Sequence, residues 1–197
     1  MRKELRARRR ALSSREQRSH SRSLARRFVT SPLFLHCQSI ALYLANDGEL
    51  NPDQLAVEAR RAGKKIYLPV LKANPKRSLW FCEFQLHDPL YRNRFNIPEP
   101  DIRRRPPRPP WGLDLILLPL VAFDAEGNRL GMGGGFYDRT FSFVRNRNHW
   151  WKPLLIGVAH ECQQVELIEA RPWDIPLNGV ITEAGFYPQT KKSKKIP

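Results

Sequence analysis

Hydrophobic and polar positions change period several times along the chain, and each change marks an element. Residues 2–11 read as a basic helix, and Ser13 and Glu16 have the spacing of a capping box that opens a second helix. The apolar face of that helix is narrow (Leu24, Ala25, Phe28, Val29), which places it on the surface of the fold. Ser39–Leu44 is strand-like, with residues 45–49 as the loop at its carboxyl end. Asn51 and Pro52 then supply an N-cap and a first-turn proline for a helix that stops at Gly63. Lys65–Val70 is a second strand, so this unit predicts a parallel crossover. Leu79–Phe84 is a short aromatic strand. Residues 103–111 hold four arginines and four prolines, which suits a polyproline-like surface linker.

The longest apolar run, Leu113–Phe123, is broken only by Asp114 and Pro119. Eleven residues with a proline are too short to span a bilayer and suit a strand buried on both faces. A polar turn at 124–128, four glycines and the first turn of a helix at 136–139 follow. Residues 146–152 predict an exposed turn with two tryptophans, 153–159 a buried strand, 163–169 a short amphipathic piece, 179–182 a last strand and 184–197 a frayed tail. The order implies one α/β domain over residues 1–197, with basic helices at 1–30 and a core at 39–183. Its expected architecture is three-layer αβα, a mainly parallel, Rossmann-like open sheet with a glycine-rich phosphate loop.

That loop carries the candidate chemistry. Gly131, Gly133, Gly134 and Gly135 lead into Phe136-Tyr137-Asp138-Arg139, an order that aims backbone N–H groups and a helix N-terminus at one point. It is not a Walker loop, because no Gly-Lys-Ser/Thr follows, and the third glycine of a dinucleotide fingerprint would fall on Phe136. On glycines alone, a flexible connector and a phosphate cradle remain equally open. Arg129 can neutralise phosphate oxygens and Asp138 can hold Mg²⁺, which favours the cradle.

Charge adds a second theme. Lys and Arg total 34 against 19 Asp and Glu, a net +15, with eleven of the basic residues in 1–27. Such a surface attracts polyanions, nucleic acid first among them, but no zinc-finger spacing or RNA-binding aromatic motif accompanies it. An anionic small substrate fits as well, and clustered charge at the chain ends can be simple solvation. The three cysteines, Cys37, Cys82 and Cys162, are odd in number and widely spaced, as befits a reducing cytoplasm. The Arg/Ser-rich start resembles a transit peptide only superficially, since Glu4 and Glu16 interrupt it.

The string Asn128-Arg129-Leu130-Gly131-x-Gly133-x-Gly135-Phe136-Tyr137-Asp138, after Leu118-Pro119-Leu120-Val121-Ala122-Phe123-Asp124, resembles the signature of the 5-formyltetrahydrofolate cyclo-ligase family. The resemblance implies a nucleotide site at Arg129, Leu130, Gly131, Met132, Gly133, Gly134, Gly135, Phe136 and Tyr137, with Arg129 and Tyr137 as catalytic residues. It implies Mg²⁺, brought with ATP, at Asp138 and at Asp174, the first acid of a D-x-x-x-D element whose second is Asn178 here. Folate would meet Leu44, Glu49, Phe95, Phe136 and Tyr137, with Phe95 stacking on the pterin. An N-terminal Lys-x-x-x-Arg element reaches ATP in this family. Aligned through residues 8–12, its arginine falls near Arg2 and its lysine before Met1, so either Lys3 and Arg6 substitute or the start lies too late. The implied protein is a cytoplasmic, monomeric ligase for small molecules, without membrane or nucleic-acid partners. The rivals are a basic nucleic-acid-binding module and a sugar-phosphate or CoA enzyme on a related sheet.

Overall fold

The structure, a computed structural model, describes residues 1–72, 77–146, 153–169 and 171–189. It is built on a seven-stranded sheet. In chain order the elements are α1 (Arg2–Arg10), α2 (Ser14–Val29), α3 (Pro32–His36), β1 (Ser39–Ala41), α4 (Asp53–Arg61), β2 (Lys65–Leu71) and β3 (Leu79–Glu83). Then come β4 (Leu90–Arg92), β5 (Pro98–Pro100), β6 (Leu115–Pro119), β7 (Ala122–Phe123), β8 (Arg129–Leu130), α5 (Phe136–Thr140), β9 (Leu154–Val158), β10 (Gly179–Ile181) and β11 (Phe186–Pro188). The main sheet runs β11-β10-β9-β6-β1-β2-β3. Its five central strands are parallel, and β3 and β11 close the two edges antiparallel.

The two faces of the sheet are covered unequally. On one face, α2, α3 and α4 pack Leu24, Phe28, Phe34, Leu55 and Ala59 against Ile40, Ile66, Leu115, Leu117 and Ile156. On the other, Ile116, Leu118, Leu155 and Val180 are covered by Phe141, Ile175 and Leu177. These covering residues come from the end of α5 and from irregular chain, so the second outer layer of the αβα arrangement is thin. Helix α2 starts as its sequence predicts. The Ser13 hydroxyl accepts from Glu16 N, and the Glu16 carboxylate accepts from Ser13 N at 2.8 Å.

Three of these expectations need correction, and a fourth, the polar turn, holds. The apolar run 113–123 is not one strand: β6 ends at Pro119, and Val121 and Ala122 turn away beneath Leu5 of α1 in a small cluster of their own. The polar turn is the tip of the β7–β8 hairpin, and Asp124 is buried there. Its carboxylate accepts from the backbone N–H groups of Glu126, Asn128 and Ile168 and from Asn128 Nδ2. Residues 186–188 are not frayed but pair with β10. Helix α5 is only five residues long, too short for a substantial dipole. Residues 147–152, with both tryptophans of the predicted turn, and 190–197 lie outside the described residues. Among the described residues, no helix is long and apolar enough to cross a membrane.

Candidate functional site

The chain runs from β1 to β2 on one side and places β6 on the other, so the winding reverses between β1 and β6. Open α/β sheets bind ligands beyond the carboxyl ends of strands at such a point. Here those ends are the segment 46–49 after β1 and Leu120–Val121 after β6.

One side chain ties them together. Arg9, on α1, is 0 % exposed. Its Nε donates to Asp47 O at 2.8 Å, Nη1 to Leu120 O at 3.1 Å and Nη2 to Asp47 Oδ2 at 2.9 Å, with Glu49 Oε1 3.6 Å away. Arg6 Nε also donates to Asp47 Oδ2 at 2.7 Å, and Arg10 pairs with Oδ1. Burial alone would raise the Asp47 carboxyl, but the bonds from Arg6, Arg10 and Arg9 outweigh it and bring its pKa down to about 2. Asp47 and Gly48 have φ of 56° and 73°, the left-handed conformation that aspartate tolerates and glycine favours.

This knot presents Glu49. Its Oε2 accepts from Asn46 N at 3.1 Å. Burial pushes the carboxyl above its usual value, against the opposing pull of the Asn46 bond and Arg9. Tyr137 lies within electrostatic reach. Burial first, and the Glu49 charge second, push its phenol far up, so it remains a proton donor. Its ring stacks on Phe141, with centroids 6.0 Å apart. Leu44 packs against the helical-face core below.

The glycine segment follows the β7–β8 hairpin, which α1 holds from outside. Arg2 Nε donates to Gly131 O at 3.0 Å, so the N-terminal helix does reach the loop. Lys3 is exposed, and Arg6 is engaged by Asp47. Met132 projects outward. Gly133 and Gly135 take φ of 96° and 64°, and Gly135 caps α5 in the left-handed conformation. A Cβ on Gly135 would come within 2.9 Å of Arg139 Nη1, because that side chain folds back over the loop to donate to Gly134 O. Phe136 stands beside the loop with Phe95 edge-on at 5.7 Å. Phe95, on the turn between β4 and β5, is 48 % exposed and so is no core residue.

Arg129 and Asp138 meet each other. Arg129 Nη2 lies 2.5 Å from Asp138 Oδ1, and Nη1 donates to Ile175 O. Asp138 Oδ1 also accepts from Ile175 N at 3.4 Å. The Arg129 side chain is 6 % exposed and that of Asp138 29 %. A phosphate would therefore meet Arg129 through its remaining N–H groups. Asp174 precedes this contact and caps its own turn, accepting from Arg171 N at 2.9 Å.

The sequence pattern did not single out Arg9, Asp47 or Arg139. The one available signal for Arg9 is its i+4 spacing from Leu5, the other buried residue of α1. Asp47 and Arg139 carry no such mark.

These features define an α/β protein with a glycine-rich loop, an aromatic pair and a largely buried carboxylate near the switch point of its sheet. The profile of the 5-formyltetrahydrofolate cyclo-ligase family matches residues 1–183, and the chain belongs to that family. It is 42% identical over 178 residues to the 5-formyltetrahydrofolate cyclo-ligase of Escherichia coli strain K12, covering 90% of this chain and 96% of that one. The Haemophilus influenzae cyclo-ligase is 40% identical over 144 residues, or 73% of this chain and 75% of its own. Among solved structures, the 5,10-methenyltetrahydrofolate synthetase of Aquifex aeolicus superposes with a TM-score of 0.81 at 29% identity, covering 100% of this chain and 94% of that one.

Proposed function

We propose that this chain converts 5-formyltetrahydrofolate and ATP to 5,10-methenyltetrahydrofolate, ADP and phosphate. The observation that carries the reading is the convergence of the glycine loop, the Phe95–Phe136 pair and Glu49 at one crevice, in a chain of this family. A formamide oxygen is a poor leaving group. Moving the γ-phosphoryl group onto it gives an iminium phosphate, folate N10 attacks the iminium carbon, and phosphate departs. Such chemistry asks a protein for positioning and charge neutralisation more than for covalent help.

The roles follow from the geometry. Backbone N–H groups of 131–135 face the phosphates, with Arg2 bracing the loop from α1. Arg129 holds Asp138 in place and offers its remaining N–H groups to phosphate oxygens. Phe95 and Phe136 form an exposed aromatic wall for the pterin, Glu49 accepts from its ring N–H groups, and protonated Tyr137 donates toward the transferred oxygen. The residues fit Mg²⁺: Asp138 is partly exposed, and its Oδ2 carries no hydrogen bond among the described residues. Mg²⁺ bound there through one or two carboxylates would neutralise charge on the triphosphate. Arg139 lies across the loop and must swing aside, or turn onto the nucleotide, when ATP enters.

The basic surface would draw in polyglutamylated folate, an effect that salt should weaken. We read the chain as a monomeric cytoplasmic enzyme, with Cys37, Cys82 and Cys162 as free thiols. The test is spectrophotometric detection of methenyltetrahydrofolate from 5-formyltetrahydrofolate, with and without Mg·ATP. Product that depends on ATP supports the reading. A folded protein that makes none, yet binds RNA with a steep salt dependence, would favour a nucleic-acid role for residues 1–27 and 103–108.

A further inference from the structure

Away from the glycine loop, three side chains from distant parts of the chain converge where α2 crosses the ends of β9 and β10. His20 Nδ1 lies 2.9 Å from His160 Nδ1 and 3.3 Å from Glu183 Oε1. The candidate ligand atoms of the three residues all fall within 4.8 Å of one another, the single such group among the described residues. We propose that His20, His160 and Glu183 form a zinc site.

Donor type and spacing both favour the ion. Two imidazoles and a carboxylate are a ligand set that Zn²⁺ takes readily, in tetrahedral geometry with bonds of about 2.0–2.1 Å, which puts neighbouring donors ~3.3 Å apart. The 3.3 Å His20–Glu183 separation matches that edge, and the 2.9 Å between the two imidazole nitrogens is a few tenths of an ångström shorter. Harder cations prefer all-oxygen sites, which this is not.

Burial supplies a second, independent sign. His160 is 0 % exposed, and among the described residues its Nε2 has no hydrogen-bond partner. If the two rings only shared a proton through their Nδ1 atoms, one would accept there and carry its own N–H on Nε2. For His160 that would bury an unpaired donor, and the opposite tautomer would bury a bare acceptor, each without a compensating gain. A metal on Nδ1 leaves the same Nε2–H, but the bond to the ion offsets its cost.

The surroundings hold the carboxylate ready. Glu161 N donates to both Glu183 oxygens, at 3.2 and 3.1 Å, fixing the carboxylate plane. Arg9 also faces His160, but its charge is engaged by Asp47 and Glu49. His20 and Glu183 are partly open to solvent, so the fourth position would hold water. Bound zinc would pin α2 to the sheet directly behind Gly48, the residue between Asp47 and Glu49. The site is separate from the phosphate loop and does not depend on the cyclo-ligase reading.

Full-length, tag-free protein equilibrated with Zn²⁺ and passed through a moderate chelator should retain about one zinc per chain by mass spectrometry. His20→Ala and Glu183→Gln should each weaken zinc affinity at least ~10-fold, the size of effect that loss of a ligand or its support brings. His36→Ala, on exposed α3, should bind like the parent. Co²⁺ in the parent should give the visible absorption of a tetrahedral site, absent in His20→Ala. Neither variant alters a core side chain, and the melting curve of each checks that it folds. No retained zinc in the parent, or equal zinc in the parent and His20→Ala, overturns the proposal.

Discussion

Replacing Arg9 by Met tests the knot between the two strand ends. Methionine fills much of the same buried space without donors. Asp47 O then loses its bond from Nε, whereas Leu120 O keeps the one it receives from Gln163 Nε2 at 2.7 Å. A buried carbonyl left without its partner costs about 1–3 kcal/mol. The Asp47 carboxylate, 12 % exposed, retains Arg6 and Arg10, so its loss is partial. Glu49 loses its nearest cation while remaining largely buried. Breaking a buried pair from one side costs about 3–5 kcal/mol, and the two arginines left on Asp47 put this case near ~3 kcal/mol. For a chain of this size that lowers the thermal midpoint by roughly 6–12 °C.

Acid titration gives the same substitution a signature. Asp47 is held from its ordinary 3.8 down to about 2, so its charge stabilises the fold above its unfolded pKa and the benefit disappears as pH falls through the folded one. It lies under surface arginines, and screening reduces the shift to about 1–2 kcal/mol. In Arg9→Met the carboxyl should move back up, and the stability gap between parent and variant should narrow as pH drops from about 4 towards about 2. Urea denaturation at several pH values measures both. A variant within ~1 kcal/mol of the parent at pH 7, with a gap that does not change on acidification, would refute a role for Arg9 as the tie.

Asp138→Asn keeps an oxygen for Arg129 but loses the charge; turnover should fall at least ~100-fold with the midpoint little changed, and near-normal kcat would remove Asp138 from metal duty. Glu49→Gln should separate binding from folding. Burial holds that carboxyl above its usual value, so its ionisation costs stability as pH rises through its pKa. The glutamine variant should thus equal or exceed the parent in stability at pH 7 while its folate KM rises ~10-fold or more. Gly135→Ala forces a Cβ onto a backbone at φ 64°, which should cost about 1–2 kcal/mol and raise the ATP KM, read from a melt and from initial rates. Phe95→Ala removes an exposed ring that meets only Phe136 and the Arg94 guanidinium among the described ring contacts, so stability should fall by less than ~1 kcal/mol while folate KM climbs.

The alternation of strands and helices was legible because each element keeps a clean period: α2 has its capping box, α4 ends at Gly63, and β2 and β9 are short apolar runs. The split of the 113–123 run was not. Val121 and Ala122 are as apolar as Leu117, because they are buried too, under α1 and not within the main sheet. Periodicity reports burial and is silent on which surface does the burying. The family signature singled out the glycine loop, Glu49 and Phe95, and alignment matched Arg2 to the arginine of an ATP-reaching element. Arg9 was hidden by company: it sits in a run of three arginines whose neighbours Arg8 and Arg10 are exposed. Asp47 acquires its importance only from three cations that reach it from another part of the chain. Asp174 and Arg129 show a further limit, since sequence names a residue type but not which neighbour already occupies its atoms.

The arginine- and proline-rich stretch before β6 is more than a connection. At its end, Arg108 exchanges backbone hydrogen bonds with Phe81 of β3, at 2.9 and 2.7 Å. It thereby occupies the outer side of the last strand at that point. The prolines around it have no N–H to offer, and its arginines repel another copy of the same surface. At the opposite end β11 is three residues long and finishes on Pro188. Among the described residues, each margin thus offers an incoming strand only a short run of backbone. Edge-to-edge pairing between copies is disfavoured at both margins for the same reason.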